Sequence, residues 1–102
     1  MLKTAVHPGE VLKEELDERG VSPTALARQI DVPANRVSQI VAGKRMITAD
    51  TALRLGHWFG TDPQFWMNLQ AQFDLVTAER AAGDRIRALP TGDAEPEGAM
   101  SG

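Results

Sequence analysis

Within NRVSQ, residues 35–39, the polar side chains Asn35, Arg36, Ser38 and Gln39 surround the apolar Val37. A carboxamide can donate and accept along the edge of adenine, a guanidinium can fork onto guanine or a phosphate, and a hydroxyl can serve either. Lys44 and Arg45 follow directly after Gly43, and Ser22 and Thr24 stand upstream at the start of another short segment. These residue types read base edges and hold phosphates. Chemistry of other kinds has little to work with: the chain has no Cys, which excludes disulfides, thiolate metal sites and a Cys nucleophile. His7 and His57 are the only histidines, and HPGE at 7–10 is not a ligand spacing, so no metal, no cofactor and no catalytic residue is expected. GKR at 43–45 holds a single Gly and reads as a helix stop beside two cations, not as a phosphate loop. The expectation is a binding protein and not an enzyme.

The elements that must position these side chains are helices. Pro8, Glu10, the Leu12/Leu16 pair and the stop at Gly20 mark a first helix. Ser22 as N-cap with Pro23 behind it opens a second, carrying Ala25, Leu26, Ala27 and Ile30. Pro33 opens a third, with Val37, Ile40 and Val41 on one face and Gly43 at its end. Thr48 caps a fourth, whose buried side is read as Ala49, Ala52, Leu53, Gly56 and Phe59. Asp62 and Pro63 start a fifth, expected to run to about Arg80 before Gly83 weakens it. Apart from the short LKTAV at 2–6, no alternating run suggests a strand, so the predicted fold is an all-α, five-helix bundle.

Two short helices can cross steeply only where a small residue lies at their contact and apolar residues converge behind the turn. Ala27 is that residue, and Leu26, Ile30, Val32, Val37 and Ile40 converge, which makes the second and third helices a helix-turn-helix. With Val37 at zero, Ile40 and Val41 lie within about 60° at about 100° per residue. Asn35, Arg36, Ser38 and Gln39 are therefore expected to point away from the core.

The net charge of −3 at first argues against such a module, but the charge is uneven. Residues 20–60 hold five basic and two acidic side chains, while the flanking segments are acidic. The positive surplus is thus confined to the helix-turn-helix. Residues 1–80 are read as the DNA-binding and dimerisation domain, and 81–102, ending in PTGDAEPEGAMSG, as an acidic, flexible tail. No apolar run is long enough for a membrane span or a signal peptide, so a cytoplasmic protein is expected. Trp66, Leu69, Phe73 and Val76, spaced three, four and three apart, form a seam that would close a homodimer. The same stripe could instead cover the first and fourth helices, as Phe65 is expected to do.

The stretches HPGEVLKEEL at 7–16, SPTALARQIDVPANRVSQIVAGKR at 22–45, ITADTALRLGHWFGTDPQFWMNLQ at 47–70 and FDL at 73–75 together resemble the HigA-type (VapI-like) helix-turn-helix antitoxins of the XRE or Cro/C1-like group. HPGE and the block from Ile47 to Gln70 are particular to that subgroup, whereas a helix-turn-helix alone marks only the wider one. Asp31 departs from the broad pattern, which has Gly in the tight turn; Asp tolerates the left-handed conformation, so the turn should survive. The resemblance implies a lambda-repressor-like dimer that binds a palindromic operator in its own promoter. It also implies neutralisation of a small basic RelE/HigB-like toxin that cleaves mRNA. Ser22 and Thr24 would then contact phosphate, Asn35, Arg36, Ser38 and Gln39 would face the major groove of double-stranded DNA, and Lys44 and Arg45 would grip the backbone. Two rivals remain open: a repressor of the same fold without a toxin, and a protein-interaction module with a vestigial helix-turn-helix.

Overall fold

The computed structural model describes residues 5–93, which form five α-helices and no strand. These are α1 (Pro8–Arg19), α2 (Pro23–Gln29), α3 (Arg36–Val41), α4 (Ala49–Phe59) and α5 (Pro63–Arg87). Ala5 and Val6 take no regular structure, and the rest of LKTAV lies outside the described residues, as does the chain after Asp93.

Each helix starts where the local chemistry places a cap. His7 accepts from the Gly9 N–H at Nδ1 (2.9 Å), and Glu10 reaches back to accept from the His7 N–H (3.3 Å). This reciprocal cap satisfies amide groups that the first helical turn leaves unpaired. Ser22, Thr48 and Asp62 do the same for Ala25, Thr51 and Gln64. The third helix is the exception. Asn35 makes no side-chain cap, and Pro33 instead accepts from the Arg36 N–H (2.9 Å) in a turn, so α3 begins at Arg36 and not at Pro33.

Leu12, Leu16, Leu26, Ala27, Ile30, Val37, Ile40, Ile47, Ala52, Leu55 and Trp66 form one enclosed cluster, with Val32 half-buried against it. Gly9 lets α1 pass directly over the end of α3: a Cβ there would sit 1.9 Å from the Ile40 carbonyl oxygen. Of the residues expected on the buried side of α4, Ala49 and Leu53 are exposed, because Ala49 stands in the first turn and Leu53 on an outer face. Leu53 is 62% exposed, and Leu55 takes its place inward with Thr51, Ala52 and Gly56. Leu53 stands about 100° from Ala52 around the helix, outside the face that meets α5. Phe65, 44% exposed, lies edge-on over Trp66 (5.1 Å between ring centroids) and lines a groove with Glu15 and Arg19 of α1 and Phe59 of α4, so it covers them only in part.

Helix α5 continues through Gly83 to Arg87, so residues 81–87, read from the sequence as the start of the tail, are helical. One Gly in a helix costs only about 1 kcal/mol. Here it is bridged, because Arg87 pairs with both Glu79 and Asp84. Arg85 and Arg87 also sit in the last turn, favourably placed against the helix dipole. Among the described residues no helix is long and apolar enough to cross a membrane.

Candidate nucleic-acid interface

The turn between α2 and α3 is built by Asp31, which adopts φ 60° and is, among the described residues, the one non-glycine residue with positive φ. Its neighbours close it: the Val32 N–H donates to the Ala27 carbonyl (3.0 Å) and the Asp31 N–H to that of Arg28 (3.3 Å). From α4, Arg54 donates to the Ile30 and Asp31 carbonyls (2.8 and 3.2 Å), satisfying acceptors that the end of α2 leaves unpaired. Arg54 also pairs with Asp50, whose carboxylate raises the pKa of the guanidinium above its ordinary value. Arg54 thus belongs to the scaffold, leaving Arg28, Arg36, Lys44 and Arg45 as the cations of this module. Ala27 is fully enclosed, as the crossing of α2 and α3 requires.

On the outer side of α3, Asn35 is exposed, and its carboxamide is not consumed as a cap. Ser38 is exposed as well, its hydroxyl donating to the Asn35 carbonyl (3.0 Å). Arg36 and Gln39 differ from expectation in being half-buried. The Arg36 Nε is enclosed with no hydrogen-bond partner, and the Gln39 Oε1 accepts from the Arg45 Nε at 2.9 Å. Ser22, Thr24 and Lys44 are exposed. The Ser22 oxygen caps α2 and keeps its proton free to donate elsewhere.

Beyond α3 the chain turns back through Gly43 (φ 77°). The Lys44 N–H donates to the Gln39 carbonyl (2.8 Å) and the Gly43 N–H to that of Ile40 (3.0 Å), the paired bonds of a Schellman cap. A second tie secures this segment. Gln70 on α5, only 4% exposed, accepts from the Ile47 N–H through Oε1 (2.8 Å) and donates from Nε2 to Asp74 (3.0 Å). Sequence reasoning assigned Gln70 no role, because its partner is on a distant segment; a carboxamide amid an apolar helical face was the available signal.

The proposed dimer seam is occupied within the chain. Trp66 is 1% exposed in the core, Leu69 is packed against the same core, Phe73 meets the His7 ring edge-on (4.8 Å) and Val76 is buried. The alternative reading of that stripe, as cover for the chain's own helices, describes these contacts. A different line on α5 faces outward: Leu75 and Ile86 are exposed, with Leu89 just past the helix end. Ala78 and Ala82 complete a stripe spaced three, four, four and three. His7 serves as cap and ring contact, and among the described residues no group of three or more His, Cys, Asp or Glu is placed to hold a metal ion.

Comparison with known proteins agrees with this arrangement. A helix-turn-helix family model matches residues 12–66. Virulence-associated protein I of Dichelobacter nodosus is 51% identical over 77 residues, covering 74% of this chain and 71% of that protein. Antitoxin HigA-1 of Vibrio cholerae is 39% identical over 79 residues, covering 74% of each. The structure of Pseudomonas aeruginosa antitoxin HigA with higBA promoter superposes with a TM-score of 0.82 at 47% identity, over 85% of this chain and 97% of that one.

Proposed function

Since the chain belongs to the helix-turn-helix family of HigA-type antitoxins, we propose that it is a non-enzymatic, operator-binding antitoxin of the cytoplasm. In this reading it represses its own operon as a dimer and masks a small basic toxin. The observation that carries the DNA half is the outer side of α3: the uncapped Asn35 carboxamide, the exposed Ser38 and the Gln39–Arg45 pair, held by a helix crossing at which the small Ala27 is fully enclosed. Such a short helix enters the major groove, where carboxamides and guanidinium groups distinguish base pairs. Ser22, Thr24 and Lys44, all exposed, are the phosphate contacts.

One module of this size binds weakly, and two on one face of a palindrome stand about 34 Å apart. We place the contact between copies on the stripe Leu75, Ala78, Ala82, Ile86 and Leu89, exposed except at the half-buried Ala82, since Trp66 and Val76 of the seam first read from the sequence are buried within the chain. The toxin half of the reading rests on family membership and on charge. Glu14 and Glu18 are exposed one turn apart on α1, suited to a basic partner.

The test joins two measurements. Fluorescence anisotropy with the DNA upstream of the gene should show binding that weakens steeply with salt and exceeds binding to unrelated duplex. Co-expression with the adjoining reading frames should recover a small basic protein in fixed ratio, one that arrests growth when expressed alone. Recovery of this chain by itself would favour the repressor without a toxin, and equal affinity for all duplexes would favour the interaction module.

A further inference from the structure

We propose that Arg45 sets the base preference of the recognition helix by engaging the acceptor of Gln39, so that the pair presents chiefly donors and selects guanine. The inference rests on the operator-binding reading above. A glutamine reads adenine by using both ends of its carboxamide, Nε2 donating to N7 and Oε1 accepting from the N6 amino group. In this chain Oε1 already accepts from the Arg45 Nε at 2.9 Å. The cation beside it also disfavours the approach of another positively polarised amino group. One of the two lone pairs of Oε1 is thereby engaged, while the Gln39 Nε2 and the two Nη groups of Arg45 add donors beside it, so the balance of the pair is shifted toward donation. Guanine offers two adjacent acceptors, O6 and N7, in the major groove, whereas adenine and cytosine each present an amino donor there.

The pairing has a backbone cause. Gly43 at φ 77° and the bond from the Lys44 N–H to the Gln39 carbonyl fold the chain back over the last turn of α3. The next side chain, Arg45, is thereby delivered to Gln39, six positions earlier. Gln70 holds the continuation of that segment at Ile47. Arg45 is therefore a specificity residue, not merely the phosphate grip suggested by its place after the helix.

The experiment is selection of binding sites from a random duplex library by the full chain and by its Arg45→Ala, Arg45→Met and Gln39→Ala variants. It is followed by anisotropy on the selected duplex and on its guanine-to-adenine versions at several salt concentrations. Arg45 and its turn are exposed, and Arg45→Met keeps most of the side-chain stem as a check on folding. The parent should select a guanine in each half-site, with adenine there weakening binding about tenfold. Both Arg45 variants should lose that preference and shift it toward adenine, because Gln39 regains its acceptor. Gln39→Ala should not gain adenine. If the Arg45 variants keep the parent's base preference and lose affinity evenly with a flatter salt slope, Arg45 is a phosphate contact only and the inference is overturned. A parent chain that enriches no sequence overturns the operator reading and the inference with it.

Discussion

The two halves of α5 carry apolar residues at similar spacing and do different things with them. From Pro63 to Val76 the helix is part of the core: Trp66 is enclosed beside Phe59 and Phe65, Gln70 anchors Ile47, and Phe73 meets His7. From Leu75 onward an adjacent face, about 100° away, leaves Leu75 and Ile86 exposed. A helical stripe therefore states that a face will be covered, without stating by what. The first is covered by the chain's own α1 and α4; the second stays exposed, and it is there that we propose a second copy docks.

The largest effect that can break this contrast is at Trp66. Trp66→Ala should lower stability by about 3–5 kcal/mol through the cavity left in the core, measured by chemical denaturation. A well-folded monomer at unchanged stability would return Trp66 to an intersubunit role. Next is Gly9→Ala, whose methyl group meets the Ile40 carbonyl oxygen and should cost about 1–3 kcal/mol. Because Ile40 lies on α3, operator affinity in anisotropy should fall along with the melting temperature. Gln70→Leu strands the Ile47 N–H without an acceptor and should cost about 1–3 kcal/mol. Amide exchange at Ile47 would report the freed group, and continued protection there would show that Gln70 is dispensable.

Two smaller effects sharpen the comparison from the other side. Asp31→Gly relieves the left-handed conformation and should add up to about 1 kcal/mol; a loss on denaturation would mean that the carboxylate contributes more than the strain costs. Ile86→Asp should change folding stability by no more than about 0.5 kcal/mol. Yet sedimentation should show monomer in place of dimer, with operator affinity reduced. A persistent dimer would move the interface off this stripe.

The caps at Ser22, Thr48 and Asp62, the small residue Ala27 and the tolerated Asp31 were all legible in the sequence, because each depends on bonds or steric limits within a few residues. The same is true of the polar character of Asn35 and Ser38, and of Gly43 as a stop. Local chemistry thus accounts for five helices and for a helix-turn-helix among them. It does not reach the orientation of those helices. Whether Leu53 or Leu55 turns inward, and which α5 stripe is enclosed, depends on where α1, α4 and α5 come to lie. Gln70 finds Ile47 across 23 positions, and Arg45 finds Gln39 only after the left-handed turn reverses the chain. Those pairings follow from the direction of backbone segments in space, to which helical period and residue type are blind.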